Sequence, residues 1–107
     1  MTKRGVIVAR IKPGCRDKVA ELFAESDSGP LPAVAGVRHR SLFALGDLYV
    51  HLVELDRDFD RAVADIRDHP LFRDLSARLQ AYIEPYDPAT WRSPEDAMAE
   101  EFYSWDA

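Results

Sequence analysis

Two alternating apolar runs, Val37 to Leu45 and Leu48 to Leu55, flank the dipeptide Gly46-Asp47. No other stretch of the chain constrains its fold as tightly. A glycine-containing pair between segments of period two is a short-range hairpin signal, so residues 36–56, GVRHRSLFALGDLYVHLVELD, are predicted to form two adjacent antiparallel strands. A two-residue turn sets Leu45 opposite Leu48, and counting outward sets Arg40 opposite Val53 and Leu42 opposite His51. Alternation then assigns Arg40, Leu42, Ala44, Tyr49, His51 and Val53 to one face, and His39, Ser41, Phe43, Leu48, Val50, Leu52 and Glu54 to the other. Neither face is polar enough to be wholly solvated. An antiparallel sheet ordinarily buries one face and wets the other, so a second semi-apolar face implies a covering partner, a ligand cavity, or both. Arg40 and His51 share a face that burial would otherwise keep apolar, which marks a polar pocket.

Around the hairpin the chain alternates strand and helix. Val6 to Ile11 is a β-branched run ended by Lys12-Pro13-Gly14. Val19, Leu22 and Phe23 fall at helical spacing in a segment from about Cys15 to Ser26, and Ser28-Gly29-Pro30 stops it. Asp58 stands where a helix cap is wanted, ahead of Phe59, Val63 and Ile66. Pro70 interrupts before Leu71, Leu75 and Leu79 resume the apolar stripe, so the helical region is expected to bend or split near His69, itself placed to cap or break a helix. Tyr82 to Tyr86 supplies a fourth strand, whose Pro85 suits an edge or a strand end. The resulting βαββαβ order is that of a ferredoxin-like α+β sandwich. One domain is expected, with a body over about 4–88 and a C-terminal extension over about 89–107. Trp91, Phe102, Tyr103 and Trp105 are too many large aromatics for a frayed tail, so the extension is expected to pack on the body, a subunit interface or the pocket mouth.

Composition narrows the partners. With 107 residues, 47% of them apolar, the chain can build one core but buries a smaller share of its surface than a larger protein, which favours a dimer. A net charge of -5 and scattered basic residues argue against nucleic acid. No apolar run approaches the roughly 20 residues that span a bilayer, and MTKRGVIVARIKPG has too short an apolar core for a signal peptide, so a cytoplasmic protein is expected. Cys15 is the single cysteine, which rules out an intramolecular disulfide; it reads as a small residue opening the first helix. HxH, HExxH and facial carboxylate motifs are absent, as are GxGxxG, a glycine-rich phosphate loop and a Ser-His-Asp or Cys-His arrangement. Neither a metal nor any other cofactor is expected.

Three residues are candidates for chemistry. An imidazole of ordinary pKa, about 6.5, suits His51 to general acid or base work near neutrality, the alternative being a hydrogen-bonded structural histidine. Arg40 offers a fixed fork of donors that can hold a carbonyl and stabilise an enolate oxygen; its alternative is a surface ion pair with Glu54 or Asp56. Asp27 follows Val19 and Phe23 at four-residue steps, on the apolar side of the first helix near its end. It reads as a second acid/base group, as the residue that orients His51, or as a solvated turn residue. His39, on the other face, is expected to pack against helices or to be exposed.

The segments GVRHRSLF and DLYVHLVE, Leu31-Pro32, His69-Pro70-Leu71-Phe72, Pro85-Tyr86 and the closing Ala99-Glu100-Glu101-Phe102-Tyr103-Ser104-Trp105 together resemble the small aromatic polyketide cyclases of the tetracenomycin type. These six pieces run in order along nearly the whole chain. The resemblance implies a ferredoxin-like fold that dimerises into an α+β barrel, and a cofactor-independent aldol-type closure and dehydration of an aromatic polyketide. It implies His51 as the acid/base residue with Arg40 beside it in the pocket. Asp27 is expected as the third catalytic residue, and Ser26, Leu42, Tyr49 and Val53 are expected to contact substrate. Where that family has a histidine immediately before the aspartate, this chain has Ser26, so a two-histidine mechanism is not available. Either that position is not essential, or the protein closes a different ring or works more by template than by proton transfer. A cofactorless quinone-forming monooxygenase on polycyclic phenols is the rival enzyme, and a non-catalytic polyketide-binding protein is the rival from another class.

Overall fold

The computed structural model describes residues 2–90 and 94–107. An antiparallel sheet in the order β2-β3-β1-β4 is built from β1 (Lys3–Ile11), β2 (Val37–Leu45), β3 (Leu48–Leu55) and β4 (Ile83–Pro85), with the two-residue β5 (Met98–Ala99) also on β1. The helices are α1 (Arg16–Asp27), α2 (Leu31–Ala35), α3 (Phe59–Ile66) and α4 (Pro70–Leu79). The expected βαββαβ order is present. It is extended by α2, by a 3-10 turn over Pro94–Ala97 and by β5, none of which the sequence pattern contains.

The hairpin has the expected register: Leu45 pairs with Leu48, Leu42 with His51 and Arg40 with Val53. Gly46 has φ 60 and no non-glycine residue among those described has a positive φ, the pattern of a type II′ turn. One feature departs from simple alternation. Val37 pairs with Leu55 while His39 pairs with Glu54, so Arg38 is an extra residue in a bulge. The bulge allows Val37 and Arg40, an odd number of positions apart, to share the helix-covered face.

On that face Ala9, Ile11, Val19, Phe23, Leu31, Tyr49 and Leu75 form one buried cluster, and Val53, Leu55 and Ala62 form a second beside α3. α1 contributes Val19 and Phe23, one turn apart, and Cys15 holds its N-cap position. α2 ends at Gly36, whose φ of 76 suits glycine; a Cβ there would run into Asp56 Oδ1. α3 and α4 are separate helices, as the prolyl break requires. His69 caps α4 by accepting the Leu71 N–H on Nδ1 at 3.1 Å, with Pro70 in the first turn. Asp58 occupies the N-cap position of α3 without a side-chain cap bond, and lies 3.9 Å from Lys3 Nζ instead.

The sheet's second face carries Val6, Val8, Val50 and Leu52, all half-buried, with Phe43 and Leu45 exposed. Beyond β5, whose Met98 and Ala99 pair with Ile7 and Val6, the expectation of a packed aromatic extension is not met within this chain. Tyr103 and Trp105 are exposed and Phe102 is 97% exposed. Trp91 lies outside the described residues. No helix among the described residues is long and apolar enough to cross a membrane.

Candidate active site

Arg40 and His51 project from adjacent strands onto the helix-covered face, as diagonal neighbours, and Asp27 approaches from the last turn of α1. The three side chains meet. Arg40 Nε donates to both carboxylate oxygens of Asp27, at 3.2 and 3.0 Å, and Nη2 donates to Oδ1 at 2.9 Å. On its other side Arg40 Nη1 lies 2.9 Å from His51 Nε2. A guanidinium has donors only, so Nε2 accepts, and the imidazole is the neutral tautomer with its proton on Nδ1. These contacts use three of the five N–H groups of Arg40 and leave two. Exposure rises along the chain of contacts, from His51 at 7% through the Arg40 side chain at 16% to the Asp27 side chain at 36%.

This environment corrects the expectation of an ordinary imidazole. Burial first, and the Arg40 charge second, push His51 from 6.5 down to about 3. Tyr49, whose ring centroid lies 6.2 Å from that of His51, stays a phenol: burial raises its pKa and Arg40 only partly opposes this. Arg40 pairs with neither of its anticipated surface acids, since Glu54 lies near Arg4 and Asp56 binds Arg57. Asp27 is not a free turn residue, and it touches His51 only through Arg40.

Leu42 lies opposite His51 and packs half-buried against the main core, while Val53, opposite Arg40, is buried in the cluster beside α3. Ser26 is half-buried at the end of α1 and its carbonyl accepts the Gly29 N–H at 3.1 Å. His39 is exposed on the other face, 2.7 Å from Ser41 Oγ. Phe23, which the sequence reading treats only as part of an apolar stripe, belongs to the site. Its ring centroid is 4.8 Å from Arg40 Cζ and 5.1 Å from the His51 ring centroid, the two rings inclined at 68°. Its four-residue spacing from Asp27 was the available signal. Two surface clefts, of about 420 and 270 Å³, lie elsewhere and include neither Arg40 nor His51. No group of three or more His, Cys, Asp or Glu that could hold a metal occurs among the described residues.

Residues 3–106 match the family described as polyketide synthesis cyclase. The polyketide synthase CurG of Streptomyces cyaneus is 46% identical over 101 residues, covering 94% of each chain. Tetracenomycin F2 cyclase of Streptomyces glaucescens is 42% identical over all of this chain and 97% of its own length. The solved structure of that enzyme, a type-II polyketide cyclase, superposes with a TM-score of 0.89 over 98% of both chains. A putative antibiotic biosynthesis monooxygenase from Chloroflexus aurantiacus shares the fold at 17% identity, with a TM-score of 0.61 over 81% of this chain and 86% of its own.

Proposed function

Because the chain belongs to the polyketide synthesis cyclase family, we propose that it closes a ring of a partly cyclised aromatic polyketide by intramolecular aldol addition and loss of water, without a cofactor, at Arg40 and His51. The observation that carries this reading is the 2.9 Å contact between Arg40 Nη1 and His51 Nε2 on a buried sheet face. Holding two carbons of one flexible substrate together gives effective molarities of about 10⁵ M or more in favourable cases. One positioned acid/base group adds about 10²- to 10⁴-fold.

An order of events follows. In the free protein the Nε2 lone pair is engaged by Arg40, and an imidazole of pKa about 3 is a weak base. A substrate carbonyl oxygen that takes over the Nη1 N–H releases that lone pair. His51 takes a proton from the carbon between two carbonyls; the enolate charge that develops on the oxygen as this proton leaves offsets the Arg40 cation and so stabilises the imidazolium forming beside it. The enolate carbon bonds to a second carbonyl carbon of the same chain. The new alkoxide takes a proton from the imidazolium. Departure of that hydroxyl with a further α-proton releases one water and aromatises the ring, with no net change in oxidation level. Asp27 holds the Arg40 fork, and Leu42, Tyr49, Val53 and Ser26 bound the substrate's side of the site.

The reading includes a cytoplasmic homodimer that covers the sheet's second face, a dimeric α+β barrel with one domain per subunit. Its support is the half-open apolar surface formed by Val6, Val8, Phe43, Leu45, Val50 and Leu52, together with the exposed tail aromatics. Sedimentation of the parent as a dimer and of Phe43→Glu as a monomer is expected; a monomeric parent would remove the barrel from this account.

Anaerobic incubation with tetracenomycin F2 and with other partly cyclised aromatic polyketides, followed by chromatography with mass detection, tests the activity. The expected product is lighter by one water, forms without dioxygen, and is lost or misdirected in Arg40→Ala and His51→Ala. Turnover only in air, with an oxygen atom added, would assign a quinone-forming monooxygenase instead. Binding without turnover of any of these compounds would leave a shielding role.

A further inference from the structure

One buried ring touches both partners of the Arg40–His51 hydrogen bond. Phe23, a residue of α1 one turn before Asp27, sets its ring centroid 4.8 Å from Arg40 Cζ and meets the imidazole edge-to-face at 5.1 Å. Asp27 grips the Nε and Nη2 edge of the guanidinium, and hydrogen bonds along one edge leave the group able to rock about that edge. A π face beneath the cation resists that rocking, because the ring quadrupole attracts the guanidinium most strongly when it lies over the ring. The edge-to-face contact likewise sets the tilt of the imidazole.

We propose that Phe23 is a positioning residue for ring closure, its π face holding the Arg40 guanidinium so that Nη1 stays beside His51 Nε2, where the substrate carbonyl oxygen takes over its N–H. The inference rests on the reading of Arg40 and His51 as the reacting pair. Phe23 also packs with Val19, Tyr49 and Leu75 in the core. A ring that served packing alone would set the stability of the fold and leave the pair's alignment to Asp27.

Phenylalanines carrying progressively more ring fluorines, introduced at position 23, separate the two roles, since they keep the ring's shape while draining the negative charge from its face. With tetracenomycin F2 or another compound turned over by the parent, kcat is expected to fall steadily with fluorination. The fall reaches about tenfold for the fully fluorinated ring, the rate equivalent of a mid-range cation–π contact, while KM stays within about twofold. In the free protein the ¹⁵N resonance of His51 Nε2 is expected to move in step, which reports the displaced guanidinium without any substrate. Phe23→Leu loses at least as much turnover, and Phe23→Tyr recovers it. A kcat and an Nε2 resonance that stay flat across the series, or a kcat that follows only the melting temperature, would overturn the proposal. Arg40→Ala and His51→Ala, measured alongside, keep the two claims apart. If neither lowers kcat, the reading of the pair itself is wrong; if both do while the fluorinated series stays flat, only the role of Phe23 is lost.

Discussion

Acidification from about pH 7 to about pH 5 is expected to destabilise this polyketide cyclase by about 2 kcal/mol through His51 alone, from the slope of about 1.4 kcal/mol per pH unit. The sign follows from where the proton binds. The unfolded chain protonates this imidazole near 6.5 and the folded chain near 3. Between those values the unfolded state holds more protons, so stability is fully present above pH 6.5 and declines as the pH falls. Over the whole window the loss is about 5 kcal/mol, comparable with the total stability of a small domain. Urea unfolding of the parent and of His51→Gln across this range is the assay, because the amide oxygen can accept from Arg40 Nη1 but does not titrate. Carboxylates titrate in both proteins and cancel in the difference. The parent is expected to lose about 2 kcal/mol more than the variant between these pH values. Parallel stability curves would show that the folded imidazole titrates normally, and would refute both its burial and its engagement by Arg40.

Asp27→Asn removes the charge that grips Arg40, and kcat is expected to fall about 10- to 100-fold, the worth of a charge-assisted hydrogen bond, with a smaller effect on KM and partial recovery in Asp27→Glu. Gly36→Ala places a side chain at φ 76 and against Asp56 Oδ1; a loss of at least about 1–3 kcal/mol is expected from the backbone strain alone, read by chemical denaturation. His69→Ala deletes the α4 cap and is expected to cost about 1 kcal/mol, or about 4–8 °C in melting temperature, without a change in the product formed.

The register of the hairpin, and with it the placing of Arg40 and His51 on one face, was legible because a strand's period of two admits only two answers and a two-residue turn selects one. The split at His69 was legible for the same kind of reason, proline being incompatible with a continuous helix. The bulge at Arg38 was not, since one extra residue near a strand's start leaves the later alternation intact. Nor was α2: five residues, Leu31–Ala35, are too few to display a helical period. Asp27 was found as a candidate, but its partner was not, because the contact joins α1 to β2 across 13 residues of chain and depends on how the helix crosses the sheet. The depressed pKa of His51 was hidden for a related reason. Sequence shows an imidazole with its ordinary affinity for protons, and only packing supplies the desolvation and the neighbouring cation. The aromatic tail invited an expectation of packing on the body, a subunit interface or the pocket mouth; Phe102, Tyr103 and Trp105 are exposed on this chain, and on the reading above the surface they fit is supplied by a second copy.

Single-turnover rates of ring closure for the parent, Arg40→Ala, His51→Ala and the double variant test the central claim most directly, because two groups joined by a 2.9 Å hydrogen bond and acting on one substrate work as a unit. The double variant is expected to be no slower than the worse single variant, with both singles well below the parent. Losses that multiply, or a His51→Ala variant that closes the ring at the parental rate, would contradict the account.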